Sequence, residues 1–600
     1  MSPQQIAPDK TSVSCLIISD SNLVNLSAYL NAMDSGGVPM RSWIAPFGQA
    51  VPTLINTCAG PWDRDPDDVI VWTQPEKVIP SFQKLLDYQR PPVDELLREV
   101  DDFCSLLGNI PVQIPTILVP AWTAPSYHTG WGLLDMHPDL GVTSILARMN
   151  LRLAQNLASQ RRIFVLDSHK WIQAAGRKAF NPTLWYGAKV SYSNEVLQEA
   201  ARDIKAAIQT IRGNSRKLLV LDLDDTLWGG AVGELGWQNV QLGGHDPVGE
   251  AYLDFQRVLK SFLNRGILLS MVSKNQESVA LAALENHPEM VLRPGDFAGW
   301  RINWRDKVEN IVELVSELNL GLQSVVFIDD NPAERARVAE ALPEVLVPQW
   351  PESPLSYAAA LYELRCFDTL SLTEEDLKRA QMYAGERKRR AEARVFTSLD
   401  EWLKTLMIRI EVEELSPENV DRAAQLINKT NQMNLATRRL SPAQLRDWAA
   451  QENHKMWTLR VRDKLGDSGL SGVLGLEVHD GHAVISDFVL SCRVIGRKVE
   501  ETMLATAIDY CRLRGLSEIT ASHAPTPKNE PCLAFFRNSG FEEIETHAFR
   551  WPLSKPYPVP EYIQVTCGDK PRQLQNSLWF LCVFASWWRR RRHNRNGVSS

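Results

Sequence analysis

The feature that most constrains this 600-residue chain is an apolar run that ends in closely spaced carboxylates, LLVLDLDDTLW at 218–228. The run predicts a buried strand, and Asp222 and Asp224 follow it. Side chains two residues apart on an extended chain share one side, so both carboxylates converge where the strand ends. Such a pair is costly without a hard cation, and Mg²⁺ prefers oxygen ligands. One carboxylate could then attack phosphorus while the other moves a proton.

Three further elements follow in order. ILLSMVS predicts a second strand that ends in Ser273, RDKVENI places Lys307 at a helix start, and VVFIDD predicts a third strand that ends in Asp329 and Asp330. A lone DxDxT is weak evidence, because Asp and Thr cap many helices. The ordered set of DxDxT, strand-end Ser, Lys and strand-end acidic pair is more specific, and it resembles the haloacid dehalogenase superfamily.

This resemblance implies a role for each residue. Asp222 is the expected nucleophile that forms an aspartyl phosphate, and Asp224 is expected to protonate the departing oxygen and later to activate water. The phosphoryl oxygens are expected to bind Ser273, Lys274, Asn275 and Lys307. The expected Mg²⁺ ligands are Asp222, Asp224, Asp329 and Asp330. The short spacings leave no room for a large cap, so the predicted site is open, with its cover supplied by a bulky substrate or another domain.

Length and composition bound the rest of the chain. At roughly 100–200 residues per domain, a chain of this length predicts about three to five domains. The net charge of -7 is mild and gives no global attraction to nucleic acid. Nine cysteines occur without CxxC or Cys/His spacing, which argues against zinc and disulfides and favours a cytoplasmic setting. The first residues do not resemble a secretory signal, and no integral membrane segment is predicted.

The predicted fold class is α/β multidomain. Residues 1–215 predict an N-terminal α/β domain of SGNH or flavodoxin-like type, in which Ser21 is interpreted as a turn residue and the domain as non-catalytic. The remaining predicted segments are a Rossmann-like phosphatase core without a large cap at 216–370, a helical linker at 371–404, an α+β domain at 405–552 and a tail at 553–600. The linker's basic cluster at 387–390 predicts a solvated face, with a landing patch for an acidic partner as the alternative. The apolar run at 578–588 and the arginines after it are interpreted as a hydrophobic tail, with a membrane-surface segment as the alternative.

Residues 405–552 contain a strand, a loop, a helix and later an aromatic segment that ends in Gly540 and Phe541. This order resembles the GNAT acyltransferase fold, where N–H groups at a helix start bind a pyrophosphate or phosphopantetheine arm. Arg493 and Gly496 match that loop. Lys498 stands where Gly or Ala usually comes third, and its bulk argues against ordinary coenzyme A binding.

Longer runs of residues together resemble the FkbH-like family of polyketide pathways, which pairs a haloacid dehalogenase phosphatase with a GNAT-like domain. The resemblance covers about 160–552, and the N-terminal domain resembles that of the longer members. The matching runs are DLDDTLWGG at 222–230, SKN at 273–275, HPEMVLR at 287–293, WRINWRDK at 300–307, FIDDNPAER at 327–335, NKTNQMNLATRR at 428–439, LSCRVIGR at 490–497 and PTPKN at 525–529. The chain departs from the family at Asp225, where Asn is common, and at Lys498.

The family implies one reaction that unites the domains, with Mg²⁺ as cofactor. The glyceryl group of 1,3-bisphosphoglycerate would lose its phosphates and become a thioester on an acyl carrier protein. The 1-position is an acyl phosphate that a thiolate can attack, whereas the 3-phosphate is an ester that needs a phosphatase. Cys492 is the expected nucleophile, because it lies between a strand end and a loop whose N–H groups can lower a thiol pKa. A buried, unreactive cysteine is the alternative.

Other residues of the C-terminal segment are expected to assist. A base or oxyanion donors are expected from His523, Lys528 and Asn529. Contacts to substrate or the phosphopantetheine arm are expected from Arg493, Gly496, Asn428, Thr430, Asn431 and Gln432, although the last four residues could equally be caps and surface groups.

Two rival functions stay open at the level of sequence. One is an acyl-CoA-dependent GNAT N-acyltransferase fused to an unrelated phosphatase. The other is a non-catalytic scaffold that docks carrier proteins, against which the complete acidic set argues. The residues do not reveal the final polyketide unit, the cognate carrier protein, the oligomeric state, or the role of the N-terminal domain and the tail.

Overall fold

The structure, a computed structural model, describes most of the chain. The described residues are 12–33, 39–125, 128, 130–160, 162–318, 320–369, 382, 385, 389, 392, 396, 398–430, 432–438, 440–526, 529–567 and 570–571. Asn431, Lys528 and the apolar run at 578–588 lie outside this set. Among the described residues, no helix has both the length and the apolar character needed to cross a membrane.

The first sheet is parallel and has the strand order β2-β1-β3-β4-β5. Its strands are β1 Val13–Ser19, β2 Met40–Ile44, β3 Asp68–Trp72, β4 Thr116–Pro120 and β5 Ile163–Leu166. The helices around it are α1 Val24–Asn31, α2 Ala50–Ile55, α3 Pro75–Val78, α4 Pro80–Leu86, α5 Val93–Gly108, α6 Val142–Leu157, α7 His169–Ala175, α8 Pro182–Ala188 and α9 Asn194–Ile211. Separate apolar cores cover its two faces, as a parallel sheet requires. Ser21, just after β1, is 3% exposed, and its Oγ lies 3.3 Å from the Ser19 Oγ.

The second sheet is also parallel and has the order β8-β7-β6-β9. Its strands are β6 Leu218–Leu221, β7 Leu268–Ser273, β8 Phe297–Ile302 and β9 Val325–Ile328. Its helices are α10 Val232–Leu235, α11 Pro247–Asn264, α12 Glu277–Asn286, α13 Lys307–Glu317, α14 Pro332–Ala341 and α15 Tyr357–Tyr362. Alternate residues of β6 enter opposite cores, Leu219 and Leu221 on one face and Leu218 and Val220 on the other. The sheet is therefore buried on both faces, and its carboxyl edge carries the polar groups.

The third sheet is mixed and has the order β16-β17-β15-β14-β13-β12-β10-β18-β19, with β11 paired to β14. Its strands are β10 Arg409–Glu414, β11 Met433–Asn434, β12 His454–Asp463, β13 Gly466–His479, β14 His482–Leu490, β15 Glu518–Ser522, β16 Glu542–Glu545, β17 Ala548–Pro552, β18 Gln564–Cys567 and β19 Lys570–Pro571. Its helices are α16 Leu399–Thr405, α17 Val420–Lys429, α18 Pro442–Ala449, α19 Val499–Leu513 and α20 Glu530–Asn538. The α/β multidomain prediction, with a C-terminal α+β domain, is confirmed.

Short 3₁₀ turns connect several of these elements. They span Gly60–Arg64, Gly132–Leu134, Gly176–Lys178, Pro294–Asp296, Leu322–Ser324, Pro354–Ser356, Arg365–Phe367 and Cys492–Val494.

The basic cluster at 387–390 is not simply a solvated face. Arg389 is 3% exposed, and its guanidinium forms two hydrogen bonds of 2.8 Å to Asp463 at the end of β12. The other three residues of the cluster lie outside the described part of the chain. The sequence pattern missed the burial of Arg389 because the partner that pays for it, Asp463, is more than seventy residues away.

Candidate active site

The predicted acidic residues meet at the carboxyl edge of the second sheet. β6 lies between β7 and β9, with Leu221 paired to Met271 on one side and to Ile328 on the other. The Asp222 N–H donates to the Ile328 carbonyl at 3.0 Å, which continues the pairing past the end of β6. Three parallel strands therefore end side by side, and the residues that follow them share one crevice.

Lys307 bridges two of the carboxylates. Its Nζ lies 2.6 Å from Asp329 Oδ2 and 3.1 Å from Asp222 Oδ2, and its side chain is 4% exposed. The side chain of Asp306 accepts the Val308 N–H and fixes the start of α13, so the lysine enters the site from the first turn of that helix. Burial acts to lower the pKa of Lys307, but the charges of Asp222 and Asp329 outweigh it and raise that pKa. The site thus holds a permanent ammonium.

The acidic residues also fit a divalent cation. Among the described residues, Asp222, Asp329 and Asp330 form a group whose carboxylate oxygens lie within 4.8 Å of one another. Asp222 Oδ1 is buried and has no hydrogen-bond partner among the described residues. Burial and the nearby Asp222 charge raise the pKa of Asp329 to about 6, against the opposing effect of Lys307. A buried acceptor without a donor, beside two more carboxylates, suits a hard cation with oxygen ligands.

Asp224 lies outside that group of three and has a different environment. Its Oδ1 accepts the Trp228 indole N–H at 2.9 Å and the Val232 N–H at 3.1 Å, and its Oδ2 accepts the Asn275 amide at 2.9 Å. Burial raises its pKa, while the hydrogen bonds from Val232 and Trp228 partly oppose that effect. The carboxylates that the structure brings together are therefore Asp222, Asp329 and Asp330, while the Asp224 side chain is turned toward these N–H donors.

The side chains of Thr226 and Arg335 also hold the acidic cluster in place. The Thr226 hydroxyl donates to Asp330 Oδ1 at 3.2 Å, and the Asp330 N–H lies 3.2 Å from the same hydroxyl oxygen. The Arg335 guanidinium donates to the carbonyls of Asp329 and Asp330 at 2.7 Å each.

Asp225 has a left-handed backbone with φ of 53°, a conformation in which Asn and Asp are the best tolerated side chains after glycine. That backbone gives a physical reason for the Asp or Asn at this position.

The predicted phosphate contacts divide into two groups. Ser273 is 2% exposed at the last position of β7, beside the Asp222 strand. The Lys274 ammonium instead pairs with Glu334 of α14 at 2.6 Å, with 42% of its side chain exposed. Asn275 orients Asp224. The sequence indicated Ser273, Lys274 and Asn275 but not their contacts. The pairing of Lys274 with Glu334 and the hydrogen bond from Asn275 to Asp224 depend on tertiary structure, which a local pattern does not encode.

In the third sheet, a short strand fills a gap between two others. β14 pairs with β15 only from His482 to Ile485. Beyond that point β14 pairs with β11, with Met433 opposite Leu490. The Ala524 N–H then donates to the Leu435 carbonyl at 2.9 Å, which joins the same segment to the chain after β15. The segment 433–435 therefore lies between the strand that leads to Cys492 and the loop that carries His523.

Side chains of the loop at 491–498 and of the first turn of α19 bond to one another. Cys492 begins the 3₁₀ turn after Ser491, and the placement of its side chain lies outside the described part of the structure. Arg493 Nε donates to Ser491 Oγ at 3.1 Å. The Gly496 N–H donates to Glu500 Oε1 at 2.7 Å, and Lys498 pairs with Glu501 at 2.8 Å. The N–H group expected to meet an incoming anion is thus already occupied by a carboxylate.

His523 retains a free ring nitrogen. It is 4% exposed, and its Nε2 lies 3.3 Å from the Asn529 carbonyl oxygen, which can only accept. Nδ1 is buried and has no hydrogen-bond partner among the described residues. Burial lowers the pKa of His523, so the ring is neutral at pH 7 with Nδ1 as its basic nitrogen.

The amides expected to contact substrate are engaged with the main chain. Asn529 Nδ2 donates to the carbonyls of Asn434 and Ala524 at 3.1 and 2.8 Å. Asn428 donates to the Leu440 carbonyl at 2.8 Å and accepts its N–H at 3.0 Å. Thr430 and Gln432 are partly exposed beside β11. Asn434, which sequence reasoning did not single out, is 1% exposed and ties this loop together through Ile427, Thr430 and Thr437.

No protein-family model and no curated protein matches the chain. Among solved structures, the chain is similar to the N-terminal part of a Bacteroides fragilis protein that contains a phosphatase domain complexed with Mg. That similarity has a TM-score of 0.54 and 28% identity, and it covers 60% of this chain and 95% of that one. The matched 60% of the chain is longer than the segment 216–370, which contains the second sheet, so the similarity extends beyond that segment.

Two acetyltransferases also match a smaller part of the chain. The ribosomal-protein-S18-alanine N-acetyltransferase from Escherichia coli has a TM-score of 0.20 and 11% identity, covering 24% of this chain and 95% of that one. The spermidine N-acetyltransferase from Vibrio cholerae, in complex with CoA and spermine, has a TM-score of 0.20 and 16% identity, covering 24% of this chain and 96% of that one.

Proposed function

We propose that the chain is a Mg²⁺-dependent phosphatase of the haloacid dehalogenase type. The observation that carries this proposal is the buried Lys307 between Asp222 and Asp329, with an unpartnered Asp222 oxygen beside it. The solved phosphatase domain to which the chain is similar was itself complexed with Mg. The Mg²⁺ ion would be held by Asp222, Asp329 and Asp330, and it supplies positive charge against the phosphoryl oxygens.

The residues of the chain account for the steps of phosphoryl transfer. A carboxylate oxygen of Asp222 attacks phosphorus, and the bond from phosphorus to the alcohol oxygen breaks. Asp224, held by three N–H donors, gives its proton to the departing oxygen and then takes one from the water that hydrolyses the aspartyl phosphate. Lys307 stabilises negative charge throughout, and Ser273 lies at the adjacent strand end to receive a phosphoryl oxygen.

The more specific proposal is a glyceryl transferase and phosphatase that loads an acyl carrier protein for polyketide biosynthesis. The thiolate of Cys492 would attack the C1 carbonyl of 1,3-bisphosphoglycerate, forming a C–S bond and expelling the 1-phosphate. The site at Asp222 would remove the 3-phosphate, and the phosphopantetheine thiol of the carrier would then displace Cys492 from the glyceryl thioester. The resemblance of the long residue runs to the FkbH-like family supports this reaction.

His523 is our candidate for the base that activates that thiol. His523 is neutral with a free Nδ1, and β11 links its loop to the second half of β14, which ends two residues before Cys492. A neutral imidazole near a thiol can take its proton and generate the nucleophile. An acyl-CoA donor fits this loop less well, because Glu500 already accepts the Gly496 N–H.

Intact-protein mass spectrometry tests the transfer half. The full chain would be incubated with 1,3-bisphosphoglycerate and Mg²⁺, with and without a phosphopantetheinylated carrier protein. We expect an acyl adduct on the wild-type protein that moves to the carrier, and no adduct on Cys492→Ala. A Cys492→Ala protein that still carries the adduct would refute the assignment of the nucleophile.

A further inference from the structure

Four described residues of the segment predicted as a helical linker lie against the third sheet. Met382, Gly385, Arg389 and Glu392 are helical and are spaced by three, four and three residues, so they share one side of the helix. Glu392 pairs with Lys464 at 3.1 Å, in the turn between β12 and β13. The described residues of the predicted linker therefore contact this turn and its neighbourhood.

Glycine at position 385 permits the close approach. A Cβ atom added there would lie 3.2 Å from the Arg389 guanidinium and 3.3 Å from the Leu465 carbonyl oxygen. Those distances are shorter than ordinary van der Waals contact, so a larger side chain would push the helix away from the turn.

Asp463 joins this helix to the loop that carries Cys492. Its side chain is 1% exposed and accepts two hydrogen bonds from Arg389, while Arg497 Nη1 donates to the same carboxylate at 3.2 Å. Arg497, 3% exposed, also donates to the Arg493 carbonyl, one residue after Cys492. The Arg493 guanidinium in turn contacts the Met382 sulfur.

We infer that Arg389 is a positioning residue for acyl transfer, which orients the loop 491–498 through Asp463 and Arg497. This inference rests on the proposed role of Cys492. The planar guanidinium of Arg389 fixes the Asp463 carboxylate with two hydrogen bonds. That carboxylate in turn fixes the guanidinium of Arg497, which donates to the main chain beside Cys492. Without Arg389, the Asp463 carboxylate keeps, among the described residues, only the Leu465 N–H and Arg497 as donors, so Arg497 and the loop it holds are less firmly oriented.

Substitutions at Arg389 and Gly385 test this inference in the full chain. We expect Arg389→Met to slow acyl-adduct formation by at least about 10-fold, because small misplacements of reacting groups are costly. Arg389→Lys keeps the charge but loses the paired geometry, and it should recover part of the rate. Gly385→Leu changes none of the charged residues Arg389, Asp463 and Arg497. It should slow adduct formation because it pushes Arg389 away from the turn. Phosphate release from a simple phosphoester should stay within about 2-fold of wild type in each variant, because the contacts described for these residues lie in the third sheet, away from the second sheet's site.

A second measurement does not depend on the acyl donor. The rate of Cys492 alkylation by iodoacetamide, followed peptide by peptide across pH, reports the environment of that thiol. We expect Arg389→Met and Gly385→Leu to shift this profile, and Glu392→Gln, on the same helix face but in a partly exposed ion pair, to leave it unchanged.

The possible outcomes separate this inference from the proposed function. A wild-type protein that forms no adduct refutes the glyceryl transfer, while a shifted alkylation profile would still support the positioning role. Adduct formation and alkylation equal to wild type in both variants would overturn the positioning role alone. Equal loss of adduct formation and phosphate release would make the contact part of the fold only, and would overturn it as well.

Discussion

The second and third sheets use buried polar groups in opposite ways. At the edge of the second sheet, Asp222, Lys307 and Asp329 face one another, and an oxygen of Asp222 keeps no partner among the described residues. In the third sheet, the amides of Asn428 and Asn529 are engaged with main-chain groups. Polar residues that a sequence marks as reactive can therefore serve either chemistry or loop shape: Asp222 keeps a free acceptor, as does the Nδ1 of His523, whereas the amides of Asn428 and Asn529 shape loops.

The difference has a consequence for mutation. Replacing a residue of the second sheet's site should remove chemistry at once, because each group acts on the reacting atoms. Replacing a third-sheet residue that bonds the main chain, such as Asn428, Asn529 or Glu500, should act through the position of a loop, with smaller and more graded effects. The following substitutions test that contrast.

The largest effect is expected for Asp222→Asn. An amide cannot form the aspartyl phosphate, so phosphate release from a simple phosphoester should fall by at least about 10³-fold. The measurement is a phosphate-release assay with Mg²⁺ in excess. Activity within 10-fold of wild type would mean that another group is the nucleophile.

Lys307→Met should lose both activity and stability. Two buried carboxylates would face each other without their ammonium, a change that typically costs about 3–5 kcal/mol. Urea denaturation in the presence of a chelator should show this loss, and added Mg²⁺ should recover part of it. Lys274→Met breaks a partly exposed pair, so it is the matched control and should cost no more than about 1 kcal/mol. Equal losses in the two variants would contradict the bridging role of Lys307.

Asn275→Ala should have an intermediate effect. It removes the amide that donates to Asp224 Oδ2, so Asp224 is less well oriented as the proton carrier. We expect kcat for phosphate release to fall by about 10-fold, with KM changed little, since the lost interaction positions a catalytic group. A change in KM alone would instead place Asn275 in substrate binding.

In the third sheet, a change of pH rather than a substitution should reveal a graded effect on stability, at Glu500. Burial raises the pKa of this carboxyl from 4.5 to about 7, although the Gly496 N–H opposes the shift. A raised pKa stabilises the fold below the unfolded-state value, and that contribution is lost as the pH rises through 7. Hydrogen exchange of segment 496–503 should show an opening free energy about 2–3 kcal/mol lower at pH 8 than at pH 5.

Glu500→Gln should abolish that pH dependence, and Glu501→Gln should retain it.

The binding of coenzyme A tests the acyl-CoA alternative. Titration calorimetry should detect no coenzyme A binding by the wild-type protein, and tight binding would favour a CoA-dependent acyltransferase over a carrier-loading enzyme.

Sequence pattern predicted the second sheet more fully than the third, for physical reasons. A strand-end acidic motif fixes its own geometry, because parallel strands end at a shared edge, and Asp222, Lys307 and Asp329 meet as expected. The orientation of the Asp224 side chain toward Trp228 and the burial of Arg389 depend on tertiary packing, which no local sequence pattern encodes. The sequence predicted a loop between a strand and a helix at 491–498, but it did not predict the hydrogen bond from Gly496 to Glu500, since an acidic residue in a first helical turn usually indicates only a favourable dipole interaction.

The mass of the acyl adduct on the Asp222→Asn protein tests most directly whether the two sites act on one substrate. After incubation with 1,3-bisphosphoglycerate and Mg²⁺, wild-type protein should carry a glyceryl group without phosphate. The Asp222→Asn protein should carry a glyceryl group that still bears its 3-phosphate. An adduct without phosphate on Asp222→Asn would contradict the proposal that Asp222 removes it.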